Sequence, residues 1–371
     1  MRRGIRTKRW PPMVVAALAL ALIAAACGKT TPTGGGTTGP TVAPVKIGLV
    51  YDLIGRGDKS FNDAAYAGLS RAEKDFKLSV KELTPNQAGT NRDELLNLLA
   101  TQKYGLIIGV GFLFAPSLCA AMLRYPDIKF AGVDAFVDHT TCKGAKDLTT
   151  QSNYSALLFA ENEGSYLVGA AAALKSKTHH IGFIGGVYTP LIQKFQAGYV
   201  AGAKKIDPTI KVDIKYISQP PDYSGFNDPA KAQVIATSMY QGGADVVYHA
   251  AGGSGLGLFK AAQAYSTANN THVWAIGVDS DQYQQMKASA PQLAAYILTS
   301  MLKRVDVAVY DTIKSYVNGT FTGGVQTFDL KVNGVGYSTS GGFVNDIKAQ
   351  LDSLKQQIIS GQITVPTTPT S

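Results

Sequence analysis

From Val45 onward, short runs of β-branched and apolar residues alternate with longer stretches of helical periodicity, and no other feature restricts the possible folds of this chain as much. Strands separated by helices read as βαβ units, and parallel strands need such a crossover to return the chain to the same edge. A first series has strands KIGLVYD (Lys46 to Asp52), LSVKELT (Leu78 to Thr84), GLIIGVG (Gly105 to Gly111) and IKFAGVD (Ile128 to Asp134). Helices are expected between them at Phe61 to Phe76, Arg92 to Gln102 and Ala115 to Arg124. A second series begins near Gln151 with a small-residue helix, YSALLFAENEGSYLVGAAAALK, and continues through strands HIGFIGG, KVDIKYIS, ADVVYHA and HVWAIGVD with helices between. Two series predict two doubly wound lobes.

Beyond the second series lie a short helix, an AYILTS run, a helix from Met301 to Asn318, a strand pair near Val325 to Tyr337 and a terminal helix from Phe343 to Ile359. This tail fits neither lobe as a fresh unit, so the chain is expected to cross back between the lobes, giving three crossovers that act as a hinge. The expected class is α/β, with each lobe a mostly parallel sheet flanked by helices. Lobe 1 is predicted over 45–153 plus about 300–320, lobe 2 over about 154–299 plus 321–361, with 362–371 a disordered tail. No short fixed repeat marks a solenoid.

The amino terminus has the grammar of an export signal, predicted over 1–26. Arg2, Arg3, Arg6, Lys8 and Arg9 precede an apolar run from Met13 to Ala26, which is too short to span a bilayer. Those five cations account for most of the formal charge of +9; subtracting them leaves +4, too little over so long a body for a polyanion-binding stripe, so no nucleic-acid partner is expected. Cys27 follows Ala24, Ala25 and Ala26 and resembles the acylated cysteine of a bacterial lipobox, although Ala24 stands where a leucine is usual. The glycine- and threonine-rich stretch that follows, within 27–44, has too little apolar surface to fold and reads as a tether. Cys119 and Cys142 are the remaining cysteines, with no metal-ligand spacing; in an oxidising compartment they form either a bridge or two free thiols.

In open parallel sheets, ligands collect outside the carboxyl ends of the strands. Asp52, Asp134 and Asp279 each close an apolar strand, and glycine turns lie at Gly109 to Gly111, Gly185–Gly186 and Gly252 to Gly257. One such aspartate could cap a helix; three facing one crevice suggest a polar site. The segment DLIGRGDKSFNDAAYAGL places Ser60, Phe61 and Asn62 at a helix start, where Ser60 or Asn62 could cap and Phe61 could be core.

Taken together, D-x-x-x-x-x-D-K-S-F-N-x-x-x-x-x-G-L from Asp52, GxDxF at Asp134, GG-x-x-x-P-x-x-x-x-F-x-x-G-Y-x-x-G from Gly185, ADVVYHAAGGSGLG, AIGVDSDQ and LTSMLKRVDVAVYD resemble the basic membrane protein family. The resemblance runs in order from about Lys46 to Ile359. It implies a two-lobed type I periplasmic-binding-protein fold and the role of a lipid-anchored, extracytoplasmic substrate-binding protein that delivers a nucleoside, purine favoured, to an ABC importer permease. It places the base-stacking ring on Phe61, with Phe195 opposite. Asn62, Asp52 and Asp134 fall where the family bonds the base edge; the turn at Gly253, Ser254 and Gly255, together with Asp279 and Lys303, falls where it holds ribose hydroxyls. No cofactor or metal is expected, and the protein is read as a monomer. Arg56 departs from the pattern: it is either a solvated loop charge or a group at the ligand mouth.

Enzyme readings lack their motifs. Counting G-x-G-x-x-G from Gly253 finds Leu258 at the last glycine, no G-x-S-x-G or HExxH occurs, and no D-x-D-x-x-x-D-D run offers calcium to a nucleoside hydrolase. A binding protein for a sugar or signal molecule serving a sensory receptor remains the alternative.

Overall fold

The computed structural model describes residues 44–138, 142–143 and 153–369, so the expected export signal, Cys27 and the expected tether lie outside the described residues apart from Pro44. The chain begins with β1 (Lys46–Val50), α1 (Phe61–Phe76), β2 (Ser79–Leu83), α2 (Arg92–Thr101), β3 (Leu106–Val110), α3 (Ala115–Arg124), β4 (Lys129–Val133) and β5 (Tyr154–Phe159). It continues as α4 (Glu161–Lys175), β6 (His180–Val187), α5 (Pro190–Ile206), β7 (Lys211–Ser218), α6 (Pro229–Gln241), β8 (Val246–Ala250), α7 (Gly255–Asn269), β9 (Trp274–Asp279), α8 (Gln282–Ser289), α9 (Pro291–Ala294) and β10 (Ile297–Lys303). The last elements are α10 (Val305–Val317), β11 (Gly324–Phe328), β12 (Val335–Tyr337) and α11 (Lys348–Ile359).

Two six-stranded sheets result, in the orders β11-β5-β4-β3-β1-β2 and β12-β10-β9-β8-β6-β7. The first is parallel throughout; in the second, only β12 runs antiparallel, against β10. β3 and β8 are buried along their whole length, as expected of strands covered by helices on both faces. The chain passes between lobes at Ala160, at Arg304 and between β11 and β12, which gives the three expected crossovers.

Several predicted boundaries are corrected. Tyr154–Phe159 is the fifth strand of the first sheet, paired with β4 and β11, and not the start of a helix in lobe 2. Residues 301–303 complete β10 rather than open a helix, and β11 and β12, expected as a pair, join different sheets. Lobe 1 therefore comprises β1 to β5 and the helices between them plus α10 and β11, and lobe 2 comprises α4 to β10 plus β12 and α11. The tail expected to be disordered is held to lobe 2 at Val365, which is buried and whose carbonyl accepts a 2.9 Å hydrogen bond from Asn162 Nδ2.

In lobe 2, α4 and α5 pack backbone to backbone. A Cβ at Gly198 or Gly202 would lie about 2 Å from the carbonyl oxygens of Asn162 and Tyr166, which explains the small residues of both helices. Beside them Phe183, Tyr199 and Tyr248 form a buried aromatic cluster, with ring centroids 5.1–6.1 Å apart. In lobe 1, Cys119 of α3 forms a disulfide with Cys142, across 5.5 Å between Cα atoms.

Candidate ligand cleft

The carboxyl ends of both sheets face one cavity of about 790 Å³, lined from both lobes. Its size lies within the range of small-molecule sites. The first wall is the turn between β1 and α1. Asp58 accepts from the backbone N–H groups of Ser60, Asn62 and Asp63 at 2.8–3.1 Å and from Asn62 Nδ2 at 3.1 Å. Asp58, rather than Ser60 or Asn62, thus satisfies the free N–H groups at the start of α1. The Asn62 oxygen in turn accepts from the Asp52 N–H at 3.0 Å, fixing the end of β1 to the helix. Phe61, on the first turn, is left half-buried and lines the cavity. Burial raises the Asp58 carboxyl to about 6 against the lowering effect of those N–H donors.

Opposite stands Phe195, near the start of α5 and 3% exposed. Between the lobes lies Lys303, the last residue of β10. Its Nζ is 2.5 Å from Asp134 Oδ2 and 3.1 Å from Glu161 Oε1, and it sits 5.1 Å from the Phe61 ring centroid and 5.6 Å from that of Phe195. Burial opposes the lysine's charge, yet the carboxylates of Asp134, Glu161 and Asp279 outweigh it and hold the ammonium protonated. Asp134 is pushed up by burial, with Lys303 opposing. Its second oxygen, Oδ1, is buried without a hydrogen-bond partner. An unpaired buried acceptor is costly, so this atom marks a place where a ligand donor would be stabilised.

Asp134 and Asp279 both sit at positive φ, +59° and +63°, a region uncommon for residues with a side chain and concentrated at functional sites. Asp279 Oδ2 accepts a 2.5 Å hydrogen bond from Ser60 Oγ across the lobes, and the residue also lines the cavity. Burial raises its pKa, with Lys303 and Ser60 opposing. Asp52 lines the cavity too; burial raises it, while the Leu53 N–H and Arg92 lower it.

The structure therefore brings Asp52, Phe61, Asn62, Asp134, Phe195, Gly253, Asp279 and Lys303 around one cavity. Ser254 and Gly255 stand behind its wall. Ser254 Oγ donates to the Gly225 carbonyl at 2.8 Å and accepts from the Asp228 N–H at 2.7 Å, tying two loops together. A Cβ at Gly255 would meet the buried His249 ring at 1.9 Å, so the glycine there serves packing. Arg56 resolves into a half-exposed charge at the cavity edge, its guanidinium 3.4 Å from the Tyr66 ring centroid and 3.6 Å from Glu82.

Sequence reasoning missed four participants. Glu161 fell inside the helix expected from Tyr154, where no motif set it apart from any other helix acid. Phe112 of lobe 1 lines the cavity against Tyr223 and Phe226 of lobe 2, with ring centroids 6.0 and 6.5 Å apart, and these loop aromatics belong to no motif.

Comparison with known proteins gives these features a context. A family model described as ABC transporter substrate-binding protein PnrA-like matches residues 45–369. The chain is 36% identical over 362 residues to the ABC transporter nucleoside-binding protein BmpA of Lactococcus lactis, covering 95% of this chain and 98% of that protein. It is 37% identical over 309 residues to an uncharacterized lipoprotein of Pyrococcus abyssi, covering 82% of this chain and 72% of that one. Among solved structures, a solute-binding protein of an ABC transporter system from Aeropyrum pernix superposes with a TM-score of 0.74 at 29% identity, covering 87% of this chain and 94% of the other.

Proposed function

The chain belongs to the PnrA-like family of ABC transporter substrate-binding proteins, and from that premise we propose that its cleft captures an uncharged nucleoside, purine favoured. Its class is that of a binding protein rather than an enzyme. The observation that carries the nucleoside reading is the pairing of two rings from opposite lobes, Phe61 and Phe195, with a buried acceptor that has no donor, Asp134 Oδ1. A flat heterocycle between the rings gains about 1–3 kcal/mol per stacked base. Carboxylates accept the N–H and O–H groups of a base edge and a ribose. Five aspartates line the wall, Asp52, Asp58, Asp134, Asp222 and Asp279, against two cations, Arg56 and Lys303, so a phosphate meets repulsion. This favours nucleosides over nucleotides.

The relative from Lactococcus lactis carries nucleoside binding in its name, and the one from Pyrococcus abyssi is termed a lipoprotein. By analogy, Cys27 anchors this protein to the outer face of a membrane, where as a monomer it hands ligand to an importer permease. Mass spectrometry of small molecules released by denaturing the purified protein tests the reading. A nucleoside, recovered unchanged after incubation, supports it; a retained sugar or amino acid in its place contradicts it.

A further inference from the structure

Outside the carboxylate cluster, further hydrogen bonds cross the lobes between the turn before α1 and the segment from Val278 to Gln282, among them Ser60 Oγ to the Val278 carbonyl at 3.3 Å. Gln282 Nε2 donates to the Lys59 carbonyl at 2.8 Å, and Ser280 Oγ donates to the Ser60 carbonyl at 2.9 Å. Gln282 is fully buried and is not a wall residue of the cavity. Its orientation is determined from within lobe 2: Oε1 accepts from the Val278 N–H at 2.9 Å and faces His249 Nε2 at 3.0 Å, while its own N–H donates to Ser300 Oγ at 3.2 Å. A backbone N–H can only donate, so the atom facing Val278 is the amide oxygen and the NH₂ group must face lobe 1. On the other side, Lys59 holds φ at +54°, a strained conformation for a residue with a side chain. A preset donor in one lobe thus meets a carbonyl held at a strained residue in the other.

We propose that Ser280 and Gln282 form a clasp that holds the lobes together and sets how long a ligand stays in the cleft. They are positioning residues and do not touch the ligand. Their interlobe bonds exist only when the cleft is shut, so they act on the closed population. The apparent affinity scales with the fraction of molecules that is binding-competent. One lost hydrogen bond of ordinary strength then corresponds to a two- to tenfold change.

A chase of labelled inosine from the full chain tests the clasp, the choice of probe resting on the nucleoside reading. Ser280→Ala should release inosine two- to tenfold faster, with association rate and ligand-free melting temperature unchanged, and Ser280→Thr should restore the wild-type rate. Gln282→Glu keeps the acceptor toward Val278 but turns an acceptor oxygen to the Lys59 carbonyl, and should release inosine more than tenfold faster. Wild-type dissociation in folded Ser280→Ala, or a loss matched by a fall in ligand-free melting temperature, overturns the proposal. Should the wild type bind none of inosine, guanosine and adenosine, the nucleoside reading fails, and the clasp is decided without ligand by oxidising a Ser60→Cys, Ser280→Cys double variant. A bridge between the two peptides supports it, and two free thiols overturn it.

Discussion

The Lys303 ammonium lies 2.5 Å from Asp134 Oδ2, joining the end of β10 in lobe 2 to the end of β4 in lobe 1, and both groups are almost wholly withdrawn from water. Glu161, which opens α4 at the first crossover, is the second carboxylate on the same cation. The cleft and the hinge thus share one buried charge cluster.

Removing the cation from such a cluster leaves buried carboxylates uncompensated, which typically costs about 3–5 kcal/mol. Lys303→Met should therefore lower stability by about that amount, measured by urea unfolding. Adding Glu161→Gln should recover part of the loss, because it removes one of the stranded charges. Equal stability of the single and double variants would show that Glu161 is not coupled to Lys303.

The two rings should separate binding from stability. Phe61 is half-buried at a helix start, so Phe61→Ala should cost nucleoside affinity one to two orders of magnitude, as about 1–3 kcal/mol of stacking implies, with little loss of ligand-free stability. Phe195 is 3% exposed and also packs in the core, so Phe195→Ala should lower both affinity and stability, the latter by about 3–5 kcal/mol. Calorimetric titration with melting curves reads both. Normal nucleoside binding by Phe61→Ala removes that ring from the site.

Burial pushes His249 down to about 4, the bond to Gln282 opposing. The unfolded imidazole titrates near 6.5, so its folded pKa is depressed. The stability it contributes is present above about pH 6.5 and is lost as pH falls through about 4, a total of about 3 kcal/mol. His249→Asn retains an N–H donor toward Gln282 without the titration. The stability difference between wild type and this variant should shrink by about that amount from pH 7 to pH 4, since groups common to both, such as Asp58, cancel. Parallel pH profiles from urea unfolding would contradict it.

The strand-end aspartates and the alternation of elements were legible in the sequence because both are local patterns. The strand β5 was not. Its run YSALLF passes into α4 through Ala160, with no glycine, proline or capping side chain to mark the change, and an apolar run of that length reads equally as strand or helix. The allocation of β5 and β11 to lobe 1 rests on pairing between residues far apart in sequence, which periodicity does not encode. Asp58 had a local signal, an aspartate two residues before Ser60 whose carboxylate can bond the backbone N–H two positions on. Ser60 and Gln282 had none, because their partners lie on the other lobe.

Calorimetric titration of the protein, stripped of any carried ligand, with inosine, guanosine and adenosine against ribose and adenosine monophosphate decides whether the cleft takes a nucleoside. Binding only the closed form should also raise the melting temperature by mass action. Binding should be saturable with one site for at least one purine nucleoside, and absent for ribose and the nucleotide. No heat or melting shift with any nucleoside, alongside saturable binding of a sugar, would contradict it.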